Sequence, residues 1–558
     1  MLVPAARNPS TEKSDINAVT DSRKSRSFIG AGIYAARRSP LWGDLSKELP
    51  LESTLGQISE PETPYGTSSI LWGLSDYRSL RSYHPGSSRI LQLWQIFLDN
   101  VHPLSKIIHS PSIQRQIIAA TLNLDGVSRG LEALMFVIYL SAVNSLKPSE
   151  CESILGERRD ILHKRYLSAT KQAFVNCECL KSCSFIVLQS LTLYLLCMRQ
   201  YHDHKSSWLL TGLAVRSAQR MGLHKDNMPS RIPSFESEMR LRLWWQILLL
   251  DSRAAQLSGL SMDSQTRTYF DSRRPLNVND SDLYPEMSVL PPDVESHATE
   301  MIFCLVIYEG ARFTNSQALS ECTDEKVMDE FILFLRSKFL RFCEKAIPIH
   351  LLTHHVTQSV VAQTSIKGLQ ARKRNNKLDL TRSDREALLG WNVDVIECMN
   401  SIYSTEILQP YLWFLHGTFP FEPFVSVLLE LQRSVDGHLI DRGWNAIDGV
   451  YNTFVGTDWL PCTHSNDSLY CAVGKLALKA WETQSTRREP MPSWVSQLRE
   501  KQRGNNNVNA QNEHSHAINA DEVTQWSRFV GNDEDIIGDL DIDWAYWTQS
   551  LEGKQNFW

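Results

Sequence analysis

Ser207-Trp208-Leu209-Leu210-Thr211-Gly212-Leu213-Ala214-Val215-Arg216-Ser217-Ala218-Gln219-Arg220-Met221-Gly222 decides the fold class. Within it Leu210, Leu213, Ala214, Ser217, Ala218 and Met221 recur at the three- and four-residue spacing of one helical face. Gly222 follows where such a helix should stop. Working outward, the spacing returns upstream in Leu131, Leu134, Met135, Ile138, Tyr139 and Ala142, and in Leu188, Leu191, Thr192, Leu195 and Leu196. Downstream it returns in Leu241, Trp244, Trp245, Leu248 and Leu249. Alternation of period two is scarce and hairpin turn signals are few. The pattern predicts an all-α protein with one large multi-helix domain.

Punctuation between these faces agrees. Pro229 and Pro233 mark a loop, after which Ser234 precedes Glu236 and Glu238 as an expected N-cap with acidic first-turn residues. Pro275, Pro285, Pro291 and Pro292, among several Asp and Asn, predict a long ordered connection over 271–292. No repeat of 20–50 residues is evident.

Composition divides the chain into four stretches. Residues 1–84 begin rich in Ser, Pro and basic groups and are expected to be largely disordered. Residues 85–487 form the helical domain, and 488–525 a polar linker marked by Gly504, Asn505, Asn506, Asn507, Asn509 and Asn512. Residues 526–558 form an acidic, aromatic tail in which Leu540, Trp544, Trp547 and Leu551 fall on one helical face. Between Asp521 and Trp558 nine acidic residues face only Arg528 and Lys554, more than the whole net charge of −6. An amphipathic acidic helix on a tether suits docking into a coactivator groove, or folding back on its own domain.

The whole chain has 558 residues, 42% of them hydrophobic and 22% charged, which excludes a small secreted domain, a collagen-like chain and a fully disordered one. Its charge balance gives no generic affinity for nucleic acid. Eleven scattered cysteines, an odd number, form no disulfide framework and point to a reducing compartment. The first residues are too short an apolar run for a signal peptide, and the stretch from Phe185 to Met198 falls short of the roughly 18–20 residues of a spanning helix.

Chemistry-bearing motifs are weak. Gly30-Ala31-Gly32-Ile33-Tyr34-Ala35 fits a dinucleotide glycine pattern, but only Phe28 and Ile29 stand where a buried strand is needed. Cys177, Cys179 and Cys183, with Cys197 downstream, lack zinc spacing and read as helix cysteines. His202, Asp203 and His204 read as a solvated turn; His354 with His355, and His514 with His516, are weaker metal candidates still. Gly259-Leu260-Ser261-Met262-Asp263 lacks the closing glycine of a nucleophile elbow. Arg216, Glu238 and Asp251 are expected to form a guanidinium–carboxylate pair that pins two helices. Arg372, Lys373, Arg374 and Lys377 read as a solvated basic loop, alternatively a nuclear-import patch. No residue is nominated as catalytic, cofactor-binding or metal-ligating, and no cofactor is expected.

Several blocks nevertheless resemble a known family. Trp208 to Asp226 and Glu238-Met239-Arg240-Leu241-Arg242-Leu243-Trp244-Trp245 resemble the middle homology region of fungal zinc binuclear-cluster transcription factors. So do Pro275-Leu276-Asn277-Val278-Asn279-Asp280-Ser281-Asp282-Leu283, Asn100-Val101-His102-Pro103-Leu104 with Lys106 and His109, and Thr299-Glu300-Met301 with Glu309. The resemblance implies an all-helical regulatory domain in a nuclear, non-catalytic regulator, controlling a metabolic or secondary-metabolite gene set. It implies coactivators docking on the acidic tail, a small-molecule effector, and a dimer with itself or a full-length homologue. The family reads DNA through six N-terminal cysteines, whereas here the first cysteine is Cys151. Direct DNA binding is therefore in doubt, and a co-regulator or a recruited enzyme or carrier are the alternatives.

Overall fold

The computed structural model describes residues 77–199, 201, 204–225, 233–257, 269–316, 325–415, 419–433, 437–454, 468–484 and 491–500. The acidic tail, the glycine pattern at 30–35, the motif at 259–263, His202 with Asp203, and His514 with His516 lie outside these residues. In chain order the helices are α1 (Ser87–Asn100), α2 (His102–Ser105), α3 (Ser110–Leu122), α4 (Arg129–Ser145), α5 (Pro148–Leu155) and α6 (Arg159–Asn176). There follow α7 (Phe185–Met198), α8 (His204–Arg220), α9 (Ser234–Leu257), α10 (Ile302–Thr314), α11 (Lys326–Lys338) and α12 (Pro348–Asn376). The series ends with α13 (Arg382–Ser404), α14 (Leu412–Leu415), α15 (Phe421–Arg433), α16 (His438–Phe454) and α17 (Ser468–Gln484). No strand occurs among the described residues, and the fold is all-α as the sequence periodicity predicts.

Two helices run through the middle of the larger core. In α7 every side chain from Val187 to Met198 is buried, and in α4 so is every one from Ala133 to Ser145. Their polar residues are tolerated because they bond to the backbone of their own helix. Thr192 donates to the Leu188 carbonyl at 2.8 Å, and Ser141 to that of Val137 at 2.7 Å. Gln189 reaches out of its helix and donates to the Ile107 carbonyl at 2.6 Å, fixing the turn after α2.

Helix ends explain how the chain turns between these layers. Gly222 has φ of +77°, the Leu223 amide donates to the Ala218 carbonyl, and the Gly222 amide donates to that of Gln219. This double bond closes α8 as a Schellman turn, with Leu223 buried beside Ala218. Ser234 opens α9 differently from expectation: its hydroxyl donates to the Ser288 carbonyl at 2.7 Å and so ties the helix to the following connection. At Gly310 the α10 backbone comes so close to α12 that an added Cβ would lie 2.7 Å from Val360 Cγ1.

The segment 271–301 is ordered without an α-helix, as its prolines predict. The Asn277 amide donates to Asp293, its side-chain nitrogen donates to the Val294 carbonyl, and its side-chain oxygen accepts from Thr299. Asn279 and Asp282 form a capping box over a single turn at Asp280–Asp282. The connection thus folds on itself and presents Asp280 inward.

A second hydrophobic core lies later in the chain, built from α13, α15, α16, α17 and the helical residues 493–500. Tyr451 stacks on Trp494 at 4.4 Å, and Trp444 meets Trp481 edge-on at 5.7 Å. Trp494 and Val495, in the stretch that composition marks as polar linker, are buried in this core. Among the described residues no helix is long and apolar enough to cross a membrane.

Candidate functional site

The largest concentration of buried charge joins α2, α9 and the 271–301 connection. Arg242 is fully buried in the middle of α9. Its Nη1 donates to Asp280 Oδ1 at 2.7 Å, and its Nε to Glu238 Oε1, one helical turn earlier, at 3.3 Å. The same Glu238 oxygen accepts the Leu276 amide at 2.9 Å, anchoring the start of the connection. On the other side Asp280 Oδ2 accepts from Lys106 Nζ at 3.1 Å, from the Ser110 hydroxyl at 3.1 Å and from His102 Nε2 at 2.9 Å. Lys106 also pairs with Glu300. Lys106 reaches inward because it caps α2 in the left-handed conformation, φ +47°. His109 completes the ring: its Nε2 donates to the Asp280 carbonyl at 2.9 Å, and its Nδ1 accepts from Ser112 at 2.7 Å.

Electrostatics fix the protonation pattern. Burial pushes the Asp280 carboxyl up, but the hydrogen bond from His102 and the charges of Lys106 and Arg242 hold it well below the usual carboxylate range. Burial and then the Lys106 charge push His102 down, so the imidazole is neutral. A neutral His102 that donates through Nε2 leaves Nδ1 bare, and Nδ1 has no partner. Burial pushes Glu238 up, against the pull of Arg242, the Leu276 amide and Arg273. Two orphans remain inside: Glu238 Oε2, with only half-exposed Arg273 at 3.9 Å, and Arg242 Nη2.

Such a cluster is a fastener. Its carboxylate is saturated by three cationic or imidazole groups and a hydroxyl, and Asp280 and Arg242 are shut off from solvent. No group of three or more His, Cys, Asp or Glu placed to hold a metal occurs among the described residues. Low dielectric strengthens each pair and makes the loss of one partner expensive. The four motif blocks that stood apart in sequence supply its members: His102 and Lys106, Glu238 and Arg242, Leu276 and Asp280, and Glu300.

A family profile described as "Fungal specific transcription factor domain" matches residues 94–290, which contain every member of this cluster except Glu300. Over 467 residues the chain is 35% identical to the aurofusarin cluster transcription factor aurR2 of Gibberella zeae, covering 80% of this chain and 68% of that protein. The chain belongs to this fungal transcription factor family. Transcriptional regulator AacuB of Aspergillus aculeatus is 31% identical over 72% of this chain and 56% of its own length. The pyriculol/pyriculariol biosynthesis cluster transcription factor 1 of Pyricularia oryzae is 32% identical over 66% and 51%. The chain therefore spans just over half the length of these last two family members. The second core lies beyond the span of the family profile.

The site residues expected from sequence fall in different places. Arg216 does not pair with Glu238 or Asp251: it is exposed on α8 and donates to Gln219 at 3.0 Å. Glu238 is held by Arg242, and Asp251 accepts from Thr211 at 2.9 Å, so α8 and α9 are joined by a hydroxyl instead of a guanidinium. The basic group at 372–377 is the end of the 29-residue α12, not a loop. There Arg372 pairs with Glu325 and Lys373 with Asp384, leaving a weaker patch than the composition suggests. Cys197 is buried with its thiol pushed up to about 12 by burial, Cys179 is buried in the same core, and Cys183 is exposed. His354 and His355 lie on α12 with rings 6.0 Å apart, both pushed down by burial.

Proposed function

We propose that this chain regulates a fungal secondary-metabolite gene cluster, with the helical domain biased by a small-molecule effector or protein partner and the acidic tail recruiting the transcription machinery in the nucleus. The observation that carries the reading is the 35% identity to an aurofusarin cluster transcription factor across 80% of the chain. Support for a scaffolding domain comes from the ion cluster, which spends its polar groups on holding elements together. The test is transcript profiling of a strain lacking the gene. Coordinated loss of one contiguous set of biosynthetic transcripts is expected, and an unchanged profile would overturn the reading.

A second reading is a co-regulator that reaches DNA through a partner. It concerns these 558 residues alone, in which the first cysteine is Cys151, itself buried in α5. A gel shift with the purified 558-residue chain separates the two, since a co-regulator leaves promoter DNA unshifted until the partner is added.

A further inference from the structure

Arg199 follows the last residue of α7, and Arg253 lies near the end of α9. Arg199 Nε and Nη2 are sealed from solvent and have no hydrogen-bond partner. The exposed part of the residue lies elsewhere, so an occupant reaches these two nitrogens only by displacing the side chains that cover them. Its guanidinium lies over the Phe414 ring, 4.5 Å from the centroid. That ring is fixed by edge-on contacts with Phe303 at 5.5 Å and Trp413 at 5.8 Å. Tyr403 of α13 is close enough to act electrostatically on Arg199, and it packs against both hydrophobic cores.

The local charge is unbalanced. Burial first, and then the charge of Arg253, push Arg199 down to about 9. Burial pushes Arg253 down to about 10, opposed by Glu422 at the start of α15. Arg253 donates to Gln256 at 2.7 Å, a neutral amide that satisfies a hydrogen but cancels no charge. The carbonyls ending α7 offer Arg199 a partial negative charge, yet none accepts from its guanidinium. The fully buried guanidinium of Arg242, by contrast, has two carboxylates on it. A buried cation without one is costly, and a planar fork beside aromatic rings is the arrangement that grips a planar anion.

We propose that Arg199 and Arg253, with Phe414 and Tyr403, form a binding site for a small aromatic carboxylate where α7, α9, α13 and α14 meet. The carboxylate takes the free Nε and Nη2 of Arg199 as a bidentate pair, and its ring packs against Phe414 and Tyr403. Because Tyr403 belongs to both cores, an occupant fixes one core relative to the other. This gives the effector of the proposed function a place, and it rests on that reading only for its regulatory meaning. Binding is measured on purified chain, so its failure is distinguishable from failure of the transcript test.

The experiment is thermal unfolding and calorimetric titration of the full chain with 2-naphthoate, and with acetate and inorganic phosphate at matched ionic strength. Naphthoate is expected to raise Tm saturably, and the two other anions not to do so at the same concentration. Arg199→Met should weaken naphthoate binding by roughly tenfold or more, as loss of a bidentate charge-assisted pair predicts, without lowering the Tm of the ligand-free protein. Should that variant not fold, Arg253→Gln serves, with a smaller loss of affinity expected. The absence of a saturable naphthoate shift, equal responses to naphthoate and phosphate, or unchanged affinity in the variant that folds would each overturn the site.

Discussion

The two cores of this protein are held by opposite means. The first closes around fully buried charges, with Arg242 and Asp280 at its centre and partners from three separated stretches. The second closes around stacked aromatics, and its main ion clamp, Arg442 on α16 with Asp394 and Glu397 on α13, stays partly in solvent. Both fold the same kind of helix. The first places its specificity in a few groups that must all be present, whereas the second spreads it over apolar area. Breaking one therefore means removing a charge, and breaking the other means removing volume.

Asp280→Asn is the hardest test. It leaves Lys106 and Arg242 buried without their shared carboxylate and should cost about 3–5 kcal/mol. Denaturant titration reads the loss, and hydrogen exchange should show the 271–301 connection losing protection first. The matching test in the second core is Trp494→Ala. It removes a ring stacked on Tyr451 and an indole N–H that donates to Asp448 at 2.8 Å. Cavity formation should cost about 3–5 kcal/mol, read as lost protection in α16 and α17 while α4 and α7 keep theirs. Equal loss of protection in both cores from either variant would show that they unfold as one unit.

Acid should weaken the first core more than the second, by less than either substitution. His163 donates through Nδ1 to Asn144 at 2.7 Å, and burial with the charge of Arg159 pushes it down to about 4. His102 is also pushed down. Both are neutral when folded, so below about pH 6.5 the unfolded chain takes up protons that the native one refuses. Stability is full above that pH and falls as pH drops toward the native values. The raised Glu238 works in the other direction, gaining its proton in the native state first, but only nearer the carboxylate range. Tm should therefore fall between pH 7.5 and 5.5, and His163→Gln should flatten the slope; a flat wild-type profile would contradict the neutral assignment.

Helix class, the Gly222 stop and the ordered connection were legible in the sequence because each is a local property: period, φ > 0 and proline placement. The blocks that build the ion cluster were legible as motifs, but their meeting was not. His102 and Asp280 are 178 residues apart, and periodicity says which face is apolar without saying what faces it. Arg242 carries a signal in the sequence, a cation one turn after Glu238 and one turn before Trp245 and Gln246 in a helix rich in large apolar residues. Arg216 misled because standing beside an apolar face does not fix the direction of a long side chain, and here it points to solvent. The second core was hidden for a related reason: its helices have the same period as the first, so nothing in the pattern marks where one core ends. Trp494 sits past a polar stretch, and burial of one tryptophan outweighs the composition around it.

The smallest expected effect sharpens the contrast most. Arg442 forks onto Glu397, with Nε at 3.1 Å and Nη2 at 2.6 Å, and reaches Asp394 at 2.7 Å. On contacts alone it looks stronger than Arg242. Its side chain is 30% exposed and those of its partners 44% and 40%, so water competes for every one of these bonds. Arg442→Gln should therefore cost about 1 kcal/mol or less. In 1 M salt, where the screening length shrinks to about 3 Å, the cost should all but vanish, whereas that of Asp280→Asn should persist because ions do not reach a sealed pair. Denaturant titrations of both variants at low and high salt give the two differences directly. If the Arg442 loss were the larger, or resisted salt, burial would not be what separates the two cores.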